Sequence, residues 1–270
     1  YIYLWERTGK AMNKTIRTFA AAVAAIMVLS LAGCGGGTAP APAEKTSDTV
    51  QWFNNTYAVL TTANGQDVTL VGGMKPGVTA KASAIASLKE SWDVTDKASA
   101  EETIDWLIEE GGHRAEFISD MEYLEELEVT TLSDEEILGA MTEVFEMSDE
   151  EAACYLASIR VYQARGKEAI DAWDYCRAMS LLGWYYLADY YTLEETLAKS
   201  LELGKAMQGM YGSWDEMVES YLDGYCYWAG EDPADPESYT AQRRKIYEEL
   251  KAEENSCFNV AWNTELKLEG

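Results

Sequence analysis

The chain has 270 residues, with 47 acidic and 21 basic side chains and a formal net charge of −26 at pH 7. A surface this acidic repels nucleic-acid phosphates and anionic lipid headgroups, so the charge excludes nucleic acid as a partner. We interpret the charge as serving the solubility of an exposed protein, and attraction of cationic ligands or divalent ions is the alternative.

Residues 12–33 have the layout of a secretory signal peptide, in which Lys14 and Arg17 precede an apolar run from Phe19 to Leu31. About thirteen helical residues span roughly 20 Å, which is short of the roughly 30 Å hydrocarbon core of a bilayer. The pattern therefore favours a cleaved signal over a membrane-spanning helix. Because a methionine begins this unit, we interpret residues 1–11 as an upstream extension outside the native protein.

The apolar run ends in Leu31-Ala32-Gly33-Cys34, which resembles the lipobox of bacterial lipoproteins. The resemblance implies that the Cys34 sulfur receives a diacylglyceryl group and that Cys34 becomes the mature N-terminus. Residues 34–48, after which the domain begins, have the composition of a flexible linker. We therefore expect a protein of the bacterial cell envelope that is attached to the membrane by its N-terminal lipid and faces outside the cytoplasm.

Residues 49–270 are expected to form a single all-α domain of several helices, because no second linker interrupts them. Five segments have the capping-box form that predicts a helix start, at Ser99, Ser133, Ser148, Thr192 and Ser213. Further helices are predicted over Asp48–Leu60, Ala80–Trp92, Ala115–Leu127, Lys167–Tyr190 and Glu237–Glu253. Only Asp67–Gly73 looks extended, and one short strand cannot form a sheet.

Two of the predicted helices carry rows of aromatic side chains. The segment from Ala172 to Tyr191 is apolar around nearly its whole circumference, which predicts burial. The segment from Ser213 to Trp228 places its aromatic residues on one side. Such rows are typical of core packing, although in an exposed groove the same rings can stack against sugars.

One group of polar residues stands out against this apolar background. Asp174 and Arg177 are three residues apart and share a helix face, so we interpret them as a buried ion pair that fixes helix register. His113 is the only histidine, and it follows Gly111-Gly112, which we expect to end a helix, so its expected role is capping that helix end or packing beside it. The alternative is a ligand site formed by His113, Arg114, Asp174 and Arg177, because arginine offers a planar fork of donors to carboxylates.

Four cysteines follow Cys34. Cys154, Cys176 and Cys226 lie on hydrophobic helices and are expected to be free and buried, while Cys257 lies near the C-terminus. Two disulfides in any of three connectivities are the alternative for an exported protein. The cysteine spacings are too long for a four-cysteine zinc site, and a single histidine excludes a multi-histidine site, so we expect neither metal nor cofactor.

Three blocks of the sequence, residues 91–117, 172–195 and 213–228, resemble the bacterial family called domain of unknown function 1266. Its elements here are Trp92, Trp106-Leu107, Gly112-His113-Arg114, Trp173-Asp174, Arg177, Ser213-Trp214 and Gly224 to Trp228. The family-like blocks cover about residues 91–230. The resemblance implies a shared helical domain and brings no established activity.

No phosphate-binding glycine loop, zinc-protease motif, serine-hydrolase motif or Cys-x-x-Cys pair occurs in the chain. We therefore expect a non-catalytic binding or interaction module whose partner is an unknown protein or small molecule. The alternative is a hydrolase that acts on an envelope or dietary polymer with carboxylates as acid and base, although no pair of carboxylates stands out. A cleft around the four polar residues would favour a ligand site or an enzyme, and a filled core would favour the interaction module.

Overall fold

The computed structural model describes residues 47–109 and 111–268. The predicted signal peptide, the lipidation site Cys34 and nearly all of the linker lie outside these residues. The described chain folds as one all-helical domain without strands, which confirms the predicted fold class. Among the described residues, no helix is both long enough and apolar enough to cross a membrane.

The α-helices are numbered here in chain order. They are α1 (Asp48–Asn55), α2 (Ala58–Ala63), α3 (Val78–Trp92), α4 (Lys97–Ile108), α5 (Gly112–Glu126), α6 (Asp134–Gly139), α7 (Asp149–Arg165), α8 (Asp171–Leu187), α9 (Leu193–Met210), α10 (Trp214–Ala229) and α11 (Tyr239–Ala252). Short 3-10 turns at Val71–Gly73, Val129–Thr131, Gly166–Glu168 and Cys257–Asn259 join some of them, and a π turn at Ala140–Val144 follows α6.

Most of the predicted helix starts are confirmed. Ser133, Ser148 and Thr192 each form a full capping box with the glutamate three residues later. The start predicted at Ser99 is wrong: α4 begins after Asp96, whose carboxylate accepts a hydrogen bond from Ser99 N at 2.9 Å. Aspartate is as good an N-cap as serine, so the earlier residue begins the helix.

The capping box predicted at Ser213 forms only in half. Ser213 accepts a hydrogen bond from Glu216 N at 3.2 Å, which starts α10 as predicted. The Glu216 carboxylate, however, accepts from Gly212 N at 2.7 Å and so completes the cap one residue earlier.

Two further expectations about the N-terminal part are wrong. The helix predicted over Asp48–Leu60 is divided into α1 and α2, because Tyr57 leaves the helical conformation (φ −122°, ψ 18°). The segment Asp67–Gly73 is not extended: it forms a turn and then a 3-10 turn, with Gly72 at φ +69°. Gly72 lies against Gly183 of α8 so closely that a Cβ added to Gly183 would lie 2.7 Å from Gly72 Cα.

The helix α8 is the centre of the domain, as its apolar sequence predicts. It packs against α3, α4, α5, α9 and α10, and most of its side chains are buried. A large hydrophobic cluster surrounds it, and a second cluster forms between α5, α6 and α7. The polar groups described below lie on the helices that form these two clusters.

The two ends of the described chain lie side by side. The indole N–H of Trp52 in α1 donates to the Trp262 carbonyl oxygen at 2.9 Å, and that of Trp214 donates to Val260 O at 2.9 Å. Near the C-terminus, Lys267 N donates to Thr49 Oγ1 at 3.3 Å. The segment after α11 therefore fastens the start of α1 to the main core.

Candidate functional site

The carboxylate of Asp174 caps the N-terminus of α5. Its Oδ1 accepts a hydrogen bond from His113 N at 3.3 Å, and its Oδ2 accepts from Arg114 N at 3.0 Å. Gly112 is at φ +47°, and a Cβ there would lie 2.8 Å from Asp174 Oδ1. Glycine is therefore required for the close approach of the carboxylate to the helix end.

This arrangement corrects the interpretation of the glycine pair. The helix α4 ends at Ile108, and Gly111, in the left-handed conformation, is the N-cap of the next helix. His113 thus lies in the first turn of α5, and its ring packs against Trp106 in the last turn of α4. The expected packing beside a helix C-terminus is therefore observed, although the glycine pair begins α5 and does not end α4. A glycine pair can end one helix or begin the next. Here it begins α5, because the Asp174 carboxylate from α8 accepts hydrogen bonds from the first N–H groups of that helix.

Arg177 completes a buried cluster with Asp174 and His113. Its Nη2 donates to Asp174 Oδ1 and lies 2.9 Å from His113 Nδ1, while its Nε donates to Trp173 O at 3.1 Å. The guanidinium carbon lies 4.2 Å from the centroid of the Trp173 ring and 5.5 Å from that of Trp92. We call Asp174, Arg177 and His113 the Arg177 cluster.

Burial controls the ionisation of the Arg177 cluster. Asp174 is fully buried and Arg177 is 7% exposed. Burial raises the pKa of Asp174, and Arg177 and the two backbone N–H groups oppose this shift. Burial and the nearby Arg177 charge lower the pKa of His113 to about 3. At neutral pH His113 is therefore uncharged, so its Nδ1 can accept the hydrogen bond from Arg177.

Arg114 joins this region through its backbone alone. Its guanidinium Nη2 donates to Ile108 O, and the guanidinium carbon lies 5.4 Å from the centroid of the Tyr175 ring. The structure thus brings His113, Asp174 and Arg177 into direct contact but does not add the Arg114 side chain to them. A ligand site formed by these four residues would therefore offer the guanidinium of Arg177 but not that of Arg114.

Aromatic rings surround the Arg177 cluster. The Trp106 ring packs against His113 with centroids 5.3 Å apart, and the Trp228 ring packs against Trp173 at 5.6 Å. Trp106 is 37% exposed and Trp228 is 39% exposed, while Trp173 is buried. The Asp174 carboxylate therefore has its hydrogen-bond donors within the protein, and the cluster with these rings joins α4, α5, α8 and α10.

A separate cleft lies where α7 leads into α8 and α9 leads into α10. It has a volume of about 450 Å³, which is within the range of small-molecule sites. Five carboxylates and one guanidinium line it together with two apolar or aromatic residues: Arg165, Glu168, Asp171, Met210, Tyr211, Asp215, Glu216 and Glu219. We call this feature the acidic cleft.

The carboxylates of the acidic cleft differ in their surroundings. Burial raises the pKa of Asp171, although the Arg114 charge opposes the shift. Hydrogen bonds from Lys251 and Tyr247 lower the pKa of Asp215. Glu219 is paired with Arg244, whose Nη2 donates to Glu219 Oε2 at 2.9 Å. The cleft therefore combines a carboxylate that resists ionisation with one that favours it.

Comparison with known protein families decides which family this chain represents. A family described as "Protein of unknown function (DUF1266)" matches residues 87–263, which is about two thirds of the chain. This chain belongs to the DUF1266 family. No curated protein and no solved structure matches it.

The DUF1266 region begins within α3 and continues past the 3-10 turn Cys257–Asn259, so it contains both the Arg177 cluster and the acidic cleft. Several of the elements that carried the resemblance meet at Arg177. Trp92, Trp173 and His113 contact its guanidinium, and Trp106 packs against His113. Among the described residues of this DUF1266 protein, no group of three or more His, Cys, Asp or Glu is arranged to hold a metal ion.

The acidic cleft was not predicted from the sequence. Its carboxylates belong to helices that are far apart in the chain, and each is indistinguishable from a solvated helix face. One signal was present: Asp171 and Asp215 both fall in the first turn of a helix, and those helices pack together in this DUF1266 domain. Only the packing of α8 against α10 brings the two turns to the same cleft.

Proposed function

We propose that this DUF1266 protein is a lipid-anchored, extracytoplasmic binding module that has no catalytic activity of its own. The observation that carries the proposal is that the Asp174 carboxylate of the Arg177 cluster already has its hydrogen-bond donors within the protein. Asp174 accepts from two backbone N–H groups and from Arg177, so none of its oxygens is held ready for a substrate. This is the filled core that favours an interaction module.

The histidine supports the same conclusion. A general base works best when its pKa is near the operating pH. The pKa of His113 is lowered to about 3, and its Nδ1 already faces Arg177 at 2.9 Å. His113 is therefore a weak base that is occupied by a structural partner.

The acidic cleft is the concave surface that this proposal assigns to the ligand. Its lining carries four more negative than positive groups, and Met210 and Tyr211 add apolar area. A cationic group on a peptide or a small organic molecule complements this lining. The strongly acidic chain as a whole would attract such ligands from solution.

Binding of a short oligolysine peptide at low salt tests the assignment of the cleft. Replacing two cleft carboxylates, in Glu168→Gln/Asp171→Asn, should weaken binding about tenfold or more. The control Glu102→Gln/Asp105→Asn removes the same two charges at the same spacing from exposed positions on α4. Equal weakening in both double variants would show that peptide binding depends on the net charge of the protein and not on the cleft.

The proposal of membrane anchoring rests on the lipobox-like sequence at Cys34. The acidic chain repels anionic lipid headgroups, so the attached lipid is the expected means of membrane attachment. Cys34→Ala should move the protein from the detergent phase to the aqueous phase and abolish labelling by a radioactive fatty acid. The control variant Cys257→Ala should keep both properties. Membrane retention of Cys34→Ala would overturn the anchoring proposal and favour an uncleaved helix.

A second candidate function, a hydrolase of an envelope or dietary polymer, is favoured by one observation. Asp171 and Asp215 line the same cleft and their pKa values are shifted in opposite directions, which is the arrangement of a carboxylate acid and its partner. Reducing-sugar release from cell-envelope polysaccharide that disappears in both Asp171→Asn and Asp215→Asn would establish this function. No release by the native protein would remove it.

A further inference from the structure

Two buried cysteines from different helices lie against each other between the two hydrophobic clusters. Cys154 is on α7 and Cys226 is on α10, and these helices pack together. The Cys154 Sγ donates to the backbone oxygen of Cys226 at 3.4 Å, and the Cys226 Sγ donates to Glu231 O at 3.3 Å. Both residues are at least 95% buried.

The position of the Cys154 sulfur places it close to the Cys226 side chain. A backbone oxygen lies about 2.4 Å from its own Cα, so the Cys154 Sγ is within about 6 Å of the Cys226 Cα. A hydrogen bond with the Cys154 side chain and burial together raise the pKa of the Cys226 thiol. The two thiols are therefore neighbours, and a small rotation about their Cα–Cβ bonds changes the distance between them.

We propose that Cys154 and Cys226 are a disulfide-forming pair that is oxidised when the protein folds outside the cytoplasm. This inference rests on the proposed extracytoplasmic location, because disulfides form and persist in oxidising compartments. The two thiols lose two electrons and two protons to an external disulfide, such as oxidised glutathione, which is reduced to two thiols. One sulfur–sulfur bond forms within the chain, and the sulfur–sulfur bond of the oxidant breaks.

The other two cysteines of the described chain lack this arrangement. The Cys176 thiol lies 3.3 Å from Met217 Sδ inside the main core, and a thioether cannot form a disulfide. Cys257 is only half-buried and lies in the 3-10 turn near the C-terminus. The structure therefore selects one pairing among those that four cysteines permit.

The bridge would have a mechanical consequence. The helix α7 belongs to the second hydrophobic cluster and α10 belongs to the main cluster. A covalent link between them joins the two clusters and closes a loop of about 70 residues in the unfolded chain, which is a length at which loop closure stabilises strongly.

The timing of oxidation follows from burial. In the folded protein both thiols are shielded from solvent. The hydrogen bond with the Cys154 side chain, together with burial, raises the pKa of Cys226, so the reactive thiolate is scarce. The bridge should therefore form during folding and resist reduction afterwards.

Refolding the purified full chain from denaturant in a buffer of reduced and oxidised glutathione tests the inference. We expect an intact mass lower by about 2 Da, a linked pair of tryptic peptides that contain Cys154 and Cys226, and a thermal midpoint higher by about 10 °C than in reductant. Cys154→Ala should abolish the bridge, and the control Cys176→Ala should retain it. Alkylation of both Cys154 and Cys226 after refolding, or a bridge from either of them to Cys34, Cys176 or Cys257, would overturn the inference.

The same pair can be examined in cells without confusing this inference with the proposed function. Protease accessibility in intact cells and in spheroplasts reports the location, and trapping of free thiols with an alkylating agent reports the bridge. An accessible protein in which Cys154 and Cys226 are both free thiols would overturn the disulfide and leave the proposed function standing. A protein inaccessible both in intact cells and in spheroplasts would overturn the proposed location, and refolding in glutathione would then decide the disulfide by itself.

Discussion

Removing one partner of the Asp174–Arg177 pair should destabilise the domain severely. Breaking a buried ion pair costs about 3–5 kcal/mol, because the remaining charge loses its partner where water cannot replace it. Asp174→Ala should lie at the upper end of this range, since it also removes the acceptor for two N–H groups of α5, and a lost helix cap costs about 1 kcal/mol. Arg177→Met should cost somewhat less, because those two N–H groups still stabilise the carboxylate.

The double variant Asp174→Leu/Arg177→Met should recover much of the loss, because it leaves no buried charge behind. Recovery should stop about 1 kcal/mol short of the native value, since the N-terminus of α5 remains uncapped. Urea denaturation of the two single variants and the double variant measures all three free energies of unfolding. The exposed pair Lys245–Glu249, 3.7 Å apart on α11, is the control, and its removal should leave the urea midpoint unchanged within error.

The pH dependence of Arg177→Met gives this prediction a second readout. Without the guanidinium, only the two backbone N–H groups oppose the effect of burial, so the pKa of Asp174 rises further above the value in the unfolded chain. The folded variant then binds more protons than the unfolded chain, so its stability falls as pH rises through the raised pKa. Losses below about 1 kcal/mol in the single variants, which is the usual worth of an exposed pair, would refute a buried structural pair.

Two other predictions concern Gly183 and His113. Gly183→Ala should destabilise the domain by about 1–3 kcal/mol, because the new Cβ would lie 2.7 Å from the backbone of Gly72. The control Gly209→Ala in α9 faces open space and should stabilise the domain by about 0.5–1 kcal/mol, and thermal denaturation compares the two variants. Below pH 6.5 the unfolded His113 binds a proton that the folded His113, with a pKa of about 3, rejects, so stability falls as pH drops toward 3. His113→Gln should show a shallower fall, and an unchanged slope in urea titrations would contradict the lowered pKa.

Local sequence signals predicted the helices well because their causes are local. The capping boxes at Ser133, Ser148 and Thr192 and the apolar circumference of α8 depend on residues within one or two turns. Errors arose where two local solutions compete. Asp96 and Ser99 are both good N-caps, and only the backbone conformation before the helix decides which one begins α4.

The candidate site was predictable only in part. The spacing of Asp174 and Arg177 predicted their contact, since both lie on one helix. The role of the Gly111-Gly112 pair was not predictable, because the carboxylate that requires it comes from a helix about 60 residues later. The acidic cleft depends entirely on tertiary packing, so no pattern along the chain distinguishes its carboxylates from the many exposed ones.

The two ends of the described domain lie close together, held by the hydrogen bond between Lys267 and Thr49 and by the indole hydrogen bonds of Trp52 and Trp214. A short linker between residues 268 and 47 would span this gap, so a circular permutant opened in the exposed turn between α10 and α11 should fold. A fluorophore placed at residue 268 would likewise sit beside the residue from which the proposed tether leaves the domain. Its distance from a bilayer would therefore report how far the tether lets the domain rise above the membrane.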